Sequence, residues 1–375
     1  MSTTVCLYAD TLYYPQGGGH SWVYLNWALG LRSLGCEVVW LERVRGRRTD
    51  PGDEEAYFNS LKARLAHYGL EHIALWSPSG RQPPQEVTEQ CLDIDSGVGA
   101  DLLLALRYDL PSQLVSPFRR SALLDIDPGL LQTWISRGQV QPARYTHYFT
   151  TGETVGRPGA RFPDAGLEWH YAPPCVALDW WPVCPAEEGA PFTTVSHWYM
   201  DEWMEDGGEA YPNGKRDGFL PFLDLPCHTA QPLELALYLE GDQAERRALE
   251  ARGWRMRESV EVAATPWDYQ GYIQASRGEF SCVKPSCVRL ENAWISDRTL
   301  CYLASGKPAV VQHTGPSRFL PDAAGLFRFN DLGEAVRCLG AAASDYERHG
   351  RLARALAEEH FDARKVVGSV LERAL

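Results

Sequence analysis

The chain is 375 residues long and 45% apolar, with 13 Trp and 17 Tyr, enough for two or three packed domains and unlike a disordered chain. Its 36 basic and 49 acidic residues leave a net charge of -13 without a basic arm. A nucleic-acid partner is therefore not expected, and a bound phosphate would be held by a few local cations and backbone N–H groups.

Residues 4–9 read as a buried strand, followed by a glycine-rich loop over 10–20 and a helix over 22–34 with Val23, Trp27, Leu31 and Leu34 on one face. Gly35 ends the helix and residues 37–41 form a second strand. This β–loop–α–β unit opens a doubly wound sheet, although it lacks a strict G-x-G-x-x-G fingerprint for a dinucleotide. A helix over 54–68 and strands over 73–76, 100–106, 120–126 and 148–151 continue the alternation. The strand at 120–126 runs into Asp127-Pro-Gly129. Pro173, Pro174, Pro182, Pro185 and Pro191 then crowd the segment 171–191, marking a connection between two domains.

A second alternating series follows. A strand over 192–196 ends at His197 and Trp198, and an acidic loop leads to Asn213-Gly-Lys-Arg216. Next come a strand over 233–239, helices over 243–252 and 267–276, and a strand over 278–283. In the segment 296–315, Ser296 or Asp297 caps a helix bearing Leu300, Leu303 and Ala304. Gly306 supplies the left-handed stop, Pro308 blocks continuation, and 309–311 is a buried strand. The first turn of that helix, with Arg298 and Thr299, suits an anion. A strand over 327–329 and helices over 331–339, 346–359 and 362–374 complete the series.

Two blocks resemble glycosyltransferases of the GT-B fold. One is Gly17-Gly-Gly-His20 with the helix ending in Leu34-Gly-Cys-Glu-Val-Val. The other is Ser296-Asp297 through Ala304-Ser-Gly-Lys-Pro308 with Val310 and Val311, which is similar to that family's donor-site block. Phe149-Thr-Thr-Gly-Glu153, Gly278-Glu-Phe-Ser281 and Ser296-Asp-Arg298 are similar to stretches in a group of bacterial glycosyltransferase-like proteins. The resemblance implies an α/β architecture of two Rossmann-like doubly wound domains facing a cleft. It places an acceptor-side domain at 1–180 and a nucleotide-sugar-binding domain at 181–375, with the last helix, about 362–375, returning to the first domain. It also implies metal-independent transfer without a cofactor, which agrees with the lack of a D-x-D motif in a suitable loop.

The candidate site follows from both readings. Gly17, Gly18 and Gly19 permit close backbone approach to a ligand before a helix N-terminus. His20 is a candidate base for the acceptor's proton, oriented by Asp127 or Asp125. Lys215 and Arg216, Lys284 and Arg289, and Ser296, Arg298 and Thr299 are candidate donor contacts. Asp297 falls near a Glu that retaining members use for ribose or sugar hydroxyls; the second Glu expected eight positions earlier is replaced by Arg289. His197 and His313 follow strands and are placed to line the cleft, and Trp180, Trp181, Trp198 and Trp203 suit a core, a domain interface or a stacking platform.

The implied function is transfer of a sugar from a nucleotide diphosphate to an acceptor. A nucleotide-sugar epimerase and a catalytically silent binding or scaffolding protein are the alternatives. The ten Cys contain no C-x-x-C pair, and Cys282 and Cys287 have no neighbouring His pair for zinc. With no signal-like leader and no apolar window of roughly 20 residues, the expectation is a cytoplasmic protein with reduced thiols.

Overall fold

The structure, a computed structural model, describes residues 2–44, 51–78, 80, 83–200, 202–206 and 208–375. The first sheet contains β1 (Thr4–Ala9), β2 (Glu37–Arg43), β3 (His72–Trp76), β4 (Leu102–Ala105), β5 (Ser121–Asp125), β6 (His147–Thr150) and β7 (Trp169–Tyr171). Its order is β3-β2-β1-β4-β5-β6-β7, parallel throughout. Then come β8 (Phe192–His197), the hairpin β9 (Trp203–Asp206) and β10 (Glu209–Pro212), β11 (Leu233–Tyr238), β12 (Arg255–Glu258), β13 (Gly278–Ser281), β14 (Ala309–Gln312) and β15 (Leu326–Phe329). The second sheet runs β12-β11-β8-β13-β14-β15, again parallel. Each sheet therefore has its first strand central and reverses direction beside it, which opens a crevice at the strand carboxyl ends. Helices cover both faces, so central strands such as β4, Leu-Leu-Leu-Ala, are apolar at every position.

The helix Gly18–Ser33 begins earlier than the sequence pattern predicts and is buried on nearly all sides, Trp22, Leu25, Trp27, Leu29 and Leu31 included. A one-sided stripe would suffice against a single sheet, but this helix is also covered by Ala363–Ala374, the last helix. The approach is close at Gly30, where an added Cβ would lie 2.7 Å from Val367 Cγ2 and 3.0 Å from Ala363 Cβ. The link is reinforced where Val176 N–H donates to Phe361 O (2.8 Å) and Ala363 N–H donates to Val176 O (3.0 Å). The last helix thus packs on the first sheet's side of the molecule.

One apolar core runs between the halves, joining Trp22 and Val5 to Trp181, Tyr269, Leu300 and Val367. Trp181 is fully buried with its ring 4.7 Å from that of Trp22, and Trp198 is buried against Phe219, so both serve packing, whereas Trp203 is 62% exposed. The acidic segment after β8, expected as a loop, is the β9–β10 hairpin; its Met204 and Tyr211 pack on Leu130 and Trp134 of the other half. Gly306 takes the left-handed φ of +69° expected after the helix Asp297–Ala304. Among the described residues no helix is long and apolar enough to cross a membrane.

Candidate active site

A cleft of about 450 Å³ lies between the carboxyl ends of the two sheets. The first half contributes Tyr14, Gly17, Gly18, Gly19 and His20 to it; the second contributes Ser196, His197, Met200, Tyr269, Ser296, Asp297 and Arg298. Beyond the cleft the halves are clamped. Buried Glu153 accepts from Ser317 Oγ (2.6 Å) and Arg318 Nε (2.6 Å), and Arg161 pairs with Glu291 at 2.8 Å.

On the first wall, Gly17, Gly18, Gly19 and His20 occupy the entry and first turn of the helix Gly18–Ser33 rather than a free loop. Gly18 N–H donates to Ala263 O of the second half at 3.1 Å, and a Cβ there would sit 2.2 Å from Thr265 O. The close approach that glycine permits is thus made to protein backbone, and this N–H is already engaged. The preceding turn is fixed from below. Buried Glu42 accepts from Thr11 N–H (2.9 Å) and Trp40 Nε1 (2.9 Å), while Arg64 donates to Tyr14 O (3.1 Å) and Thr11 O (3.2 Å).

His20 is half-buried between the rings of Tyr14 and Tyr24, with Nε2 2.6 Å from the Asp10 carbonyl oxygen. Burial pushes its pKa down, which favours a neutral imidazole at pH 7. The carboxylates expected to orient it do not: among the described residues neither Asp125 nor Asp127 bonds to His20. Buried Asp125 accepts from Gln132 Nε2 (2.7 Å), Thr150 Oγ1 (2.9 Å) and Asp127 N–H (2.9 Å), and burial raises its pKa to about 6. Asp125 and Asp127 do spell a D-x-D, at the end of β5, but Asp125 is committed to these bonds. Exposed Asp127 lies instead near Lys284 of the second half. The carboxylate beside His20 is Asp10, ion-paired with Arg107, which also grips Asp109 through Nε and Nη2 (3.1 Å each). Sequence reasoning passed over Asp10 and Arg107, although both sit just past strand carboxyl ends, where ligand groups gather.

On the second wall, Ser296 Oγ accepts from Arg298 N–H at 3.3 Å, capping the helix Asp297–Ala304 as the sequence pattern predicts. Arg298 is 9% exposed; its Nε donates to fully buried Glu279 at 2.8 Å and Nη1 donates to Val195 O at 3.1 Å. Its charge is therefore compensated from within, although it still faces the cleft. Burial raises the Asp297 pKa. Lys215 has no ion-pair partner among the described residues, only the Cys282 carbonyl at 3.4 Å and the Trp294 ring, 5.6 Å from Nζ. Burial, with Arg298 nearby, lowers its pKa to about 8.

The other expected donor contacts are committed elsewhere. Arg216 pairs with Glu245 at 2.6 Å, Lys284 with Glu202 at 2.7 Å, and Arg289 with Glu209 at 3.5 Å while lying over the Tyr211 ring. Thr299 is 1% exposed and is not part of the cleft lining. His197 lies on the opposite wall, close enough for its charge to act on His20. His313 is outside the lining, its Nδ1 accepting from Gly315 N–H at 3.0 Å.

No protein-family model and no curated protein sequence matches the chain. Solved structures match over its whole length. An α-glucosyltransferase in complex with UDP and a 13-mer DNA is similar with a TM-score of 0.60 at 10% identity, covering 100% of both chains. HepE of Anabaena in complex with UDP-glucose is similar with a TM-score of 0.58 at 12% identity, covering 99% of this chain and 98% of that one. AviGT4, a glycosyltransferase involved in avilamycin A biosynthesis, gives 0.54 at 14% identity, covering 99% and 97%. What is shared at such identities is the fold. The chain has the GT-B fold of these glycosyltransferases, as the two sequence blocks imply.

Proposed function

We propose that this protein is a glycosyltransferase that moves a sugar from a nucleotide diphosphate to an acceptor bound against the first half, without a metal ion. The observation that carries the reading is the cleft itself. A neutral histidine on one wall faces a capped helix N-terminus on the other; Lys215, outside the cleft lining and without an ion-pair partner among the described residues, is close enough for its charge to act on Asp297 in that turn. In this reading the acceptor oxygen bonds to the anomeric carbon as the sugar–phosphate bond breaks. The acceptor proton passes to His20, and the departing nucleoside diphosphate takes the bonding pair. Lys215 and the first turn of the helix Asp297–Ala304 stabilise the charge gathering on that leaving group, as fixed dipoles and cations do in a water-poor site. Asp297 is placed to hold a sugar or ribose hydroxyl.

Two of the fold neighbours, HepE and the α-glucosyltransferase, hold UDP-glucose and UDP, which makes UDP-sugars the first donors to try. A thermal-shift screen against nucleotides and sugar nucleotides, followed by turnover with and without EDTA, tests the reading. A raised melting temperature with one sugar nucleotide and EDTA-insensitive transfer are expected. Absence of any sugar-nucleotide response overturns it. Binding without turnover identifies a silent binding protein, and epimerisation of the donor without an acceptor identifies an epimerase.

A further inference from the structure

His20 has two ring nitrogens with different surroundings. Nε2 is 2.6 Å from the Asp10 carbonyl, and a carbonyl oxygen only accepts, so Nε2 must carry the hydrogen. Nδ1 makes no hydrogen bond among the described residues, and the half-buried ring lines the cleft. The Asp10 carbonyl is not free to turn away. The Asp10 side chain is ion-paired with Arg107, and Arg107 is anchored by Asp109, which also accepts from Tyr8 O–H (3.0 Å) and pairs with Arg43 (2.8 Å). This chain of contacts ties the end of β1 to the end of β4 directly beneath the imidazole.

From this geometry we infer that Arg107 and Asp10 are positioning residues that hold His20 as its Nε2–H tautomer, so that Nδ1 is the nitrogen that accepts the acceptor's proton. The inference rests on the glycosyl-transfer reading for the identity of that proton, but the tautomer belongs to the free protein. In the transfer step the acceptor O–H proton moves to Nδ1, giving an imidazolium whose Nε2–H stays bonded to Asp10 O; the proton is later lost to solvent. The Nε2–H bond to Asp10 O keeps the ring oriented through both states. The groups facing His20 are Tyr14 and Tyr24 from its own half, Asp10 and Arg107 at the strand ends, and His197 across the cleft. Asp10 favours the protonated ring, while Arg107 and His197 oppose it.

The test uses the full chain with 15N-labelled histidine, the His20 signals being assigned by their loss in His20→Gln. A pyridine-type Nδ1 in the free protein is expected, and a pyridine-type Nε2 overturns the inference. Asp10→Asn keeps the backbone carbonyl but removes the charge, so the His20 titration should move to lower pH with the tautomer retained. Arg107→Gln should move it to higher pH, and Arg107→Lys should return it toward wild type. Shifts in the same direction, or none, overturn the positioning role. If Arg107→Gln does not fold, the wild-type tautomer and the Asp10→Asn shift still decide. In turnover, His20→Gln should lose about 10²–10⁴-fold in kcat at little change in donor affinity. A protein with the expected tautomer that transfers no sugar refutes the proposed function alone. An active protein with the opposite tautomer refutes this inference alone.

Discussion

Replacing Arg298 by Met separates two roles that the sequence makes look like one. Its partner Glu279 is 0% exposed, with one carboxylate oxygen, Oε2, already lacking a partner among the described residues. Removing the guanidinium leaves a buried carboxylate without its counter-charge and strips Val195 O of a donor. Breaking such a pair costs about 3–5 kcal/mol, whereas the loss of one charge-assisted bond to a phosphate costs about 1.5–3 kcal/mol. Arg298→Met should therefore show mainly as instability, with an unfolding midpoint in urea well below wild type. Adding Glu279→Leu removes the orphaned charge and should recover most of that loss, because a buried pair replaced by apolar side chains is often close to neutral. The double variant is then the proper reagent for donor binding. Titrated calorimetrically, it should bind sugar nucleotide about 10–150-fold more weakly if Arg298 also reaches the diphosphate. A stable Arg298→Met, or a double variant no more stable than the single, would refute the argument that Glu279 needs its counter-charge.

Gly18→Ala should force the helix entry away from Thr265 O and Ala263 O, lowering the thermal midpoint and enlarging the radius of gyration seen by X-ray scattering; an unchanged radius would show that the contact yields without moving the halves. Gly271→Ala is the matched control. It sits in the helix Pro266–Ala275 with nothing within 4 Å of an added Cβ, so a gain of about 0.5–1 kcal/mol in denaturant unfolding is expected. Lys215 titrates near pH 8 in the fold against an ordinary lysine value of 10.5. The unfolded chain binds more protons across that window, so this group adds stability as pH rises through it; Lys215→Met should flatten the rise in a pH series of urea midpoints. Because the ammonium is lost over the same window, donor affinity should fall above about pH 8 in wild type but not in Lys215→Met.

The double alternation of strands and helices was legible because many of the buried parallel strands, β1, β4 and β14 among them, are runs of mostly apolar residues. Elements with little buried surface escaped. β12 reads Arg-Met-Arg-Glu with only Met256 buried, β7 is three residues at a sheet edge, and the strands of the β9–β10 hairpin bury only Met204 and Tyr211 among their described side chains. The cleft lining was legible where the residues themselves make it, as with the placement of His20 and the Ser296 cap. It failed where charges are told apart by distant partners. Arg216, Lys284 and Arg289 look as available as Lys215 in sequence, yet their carboxylates lie 29, 82 and 80 positions away. Asp127, two residues past the end of β5, and Asp10, directly after β1, are equally plausible partners for a histidine until the sheet order puts only one beneath it.

The closure of Gly18–Ser33 by Ala363–Ala374 fixes a timetable for synthesis. A chain leaving the ribosome tends to fold its first domain first, but here that unit cannot complete until the whole second sheet has been made. Through most of elongation the Leu29 and Gly30 side of the first helix is an uncovered apolar surface, the kind of exposure that recruits chaperones and invites aggregation. The second sheet, assembled entirely from contiguous sequence, has no such wait. Ribosome-stalled chains ending before residue 363 should therefore be proteolysed more readily in their first half than completed ones.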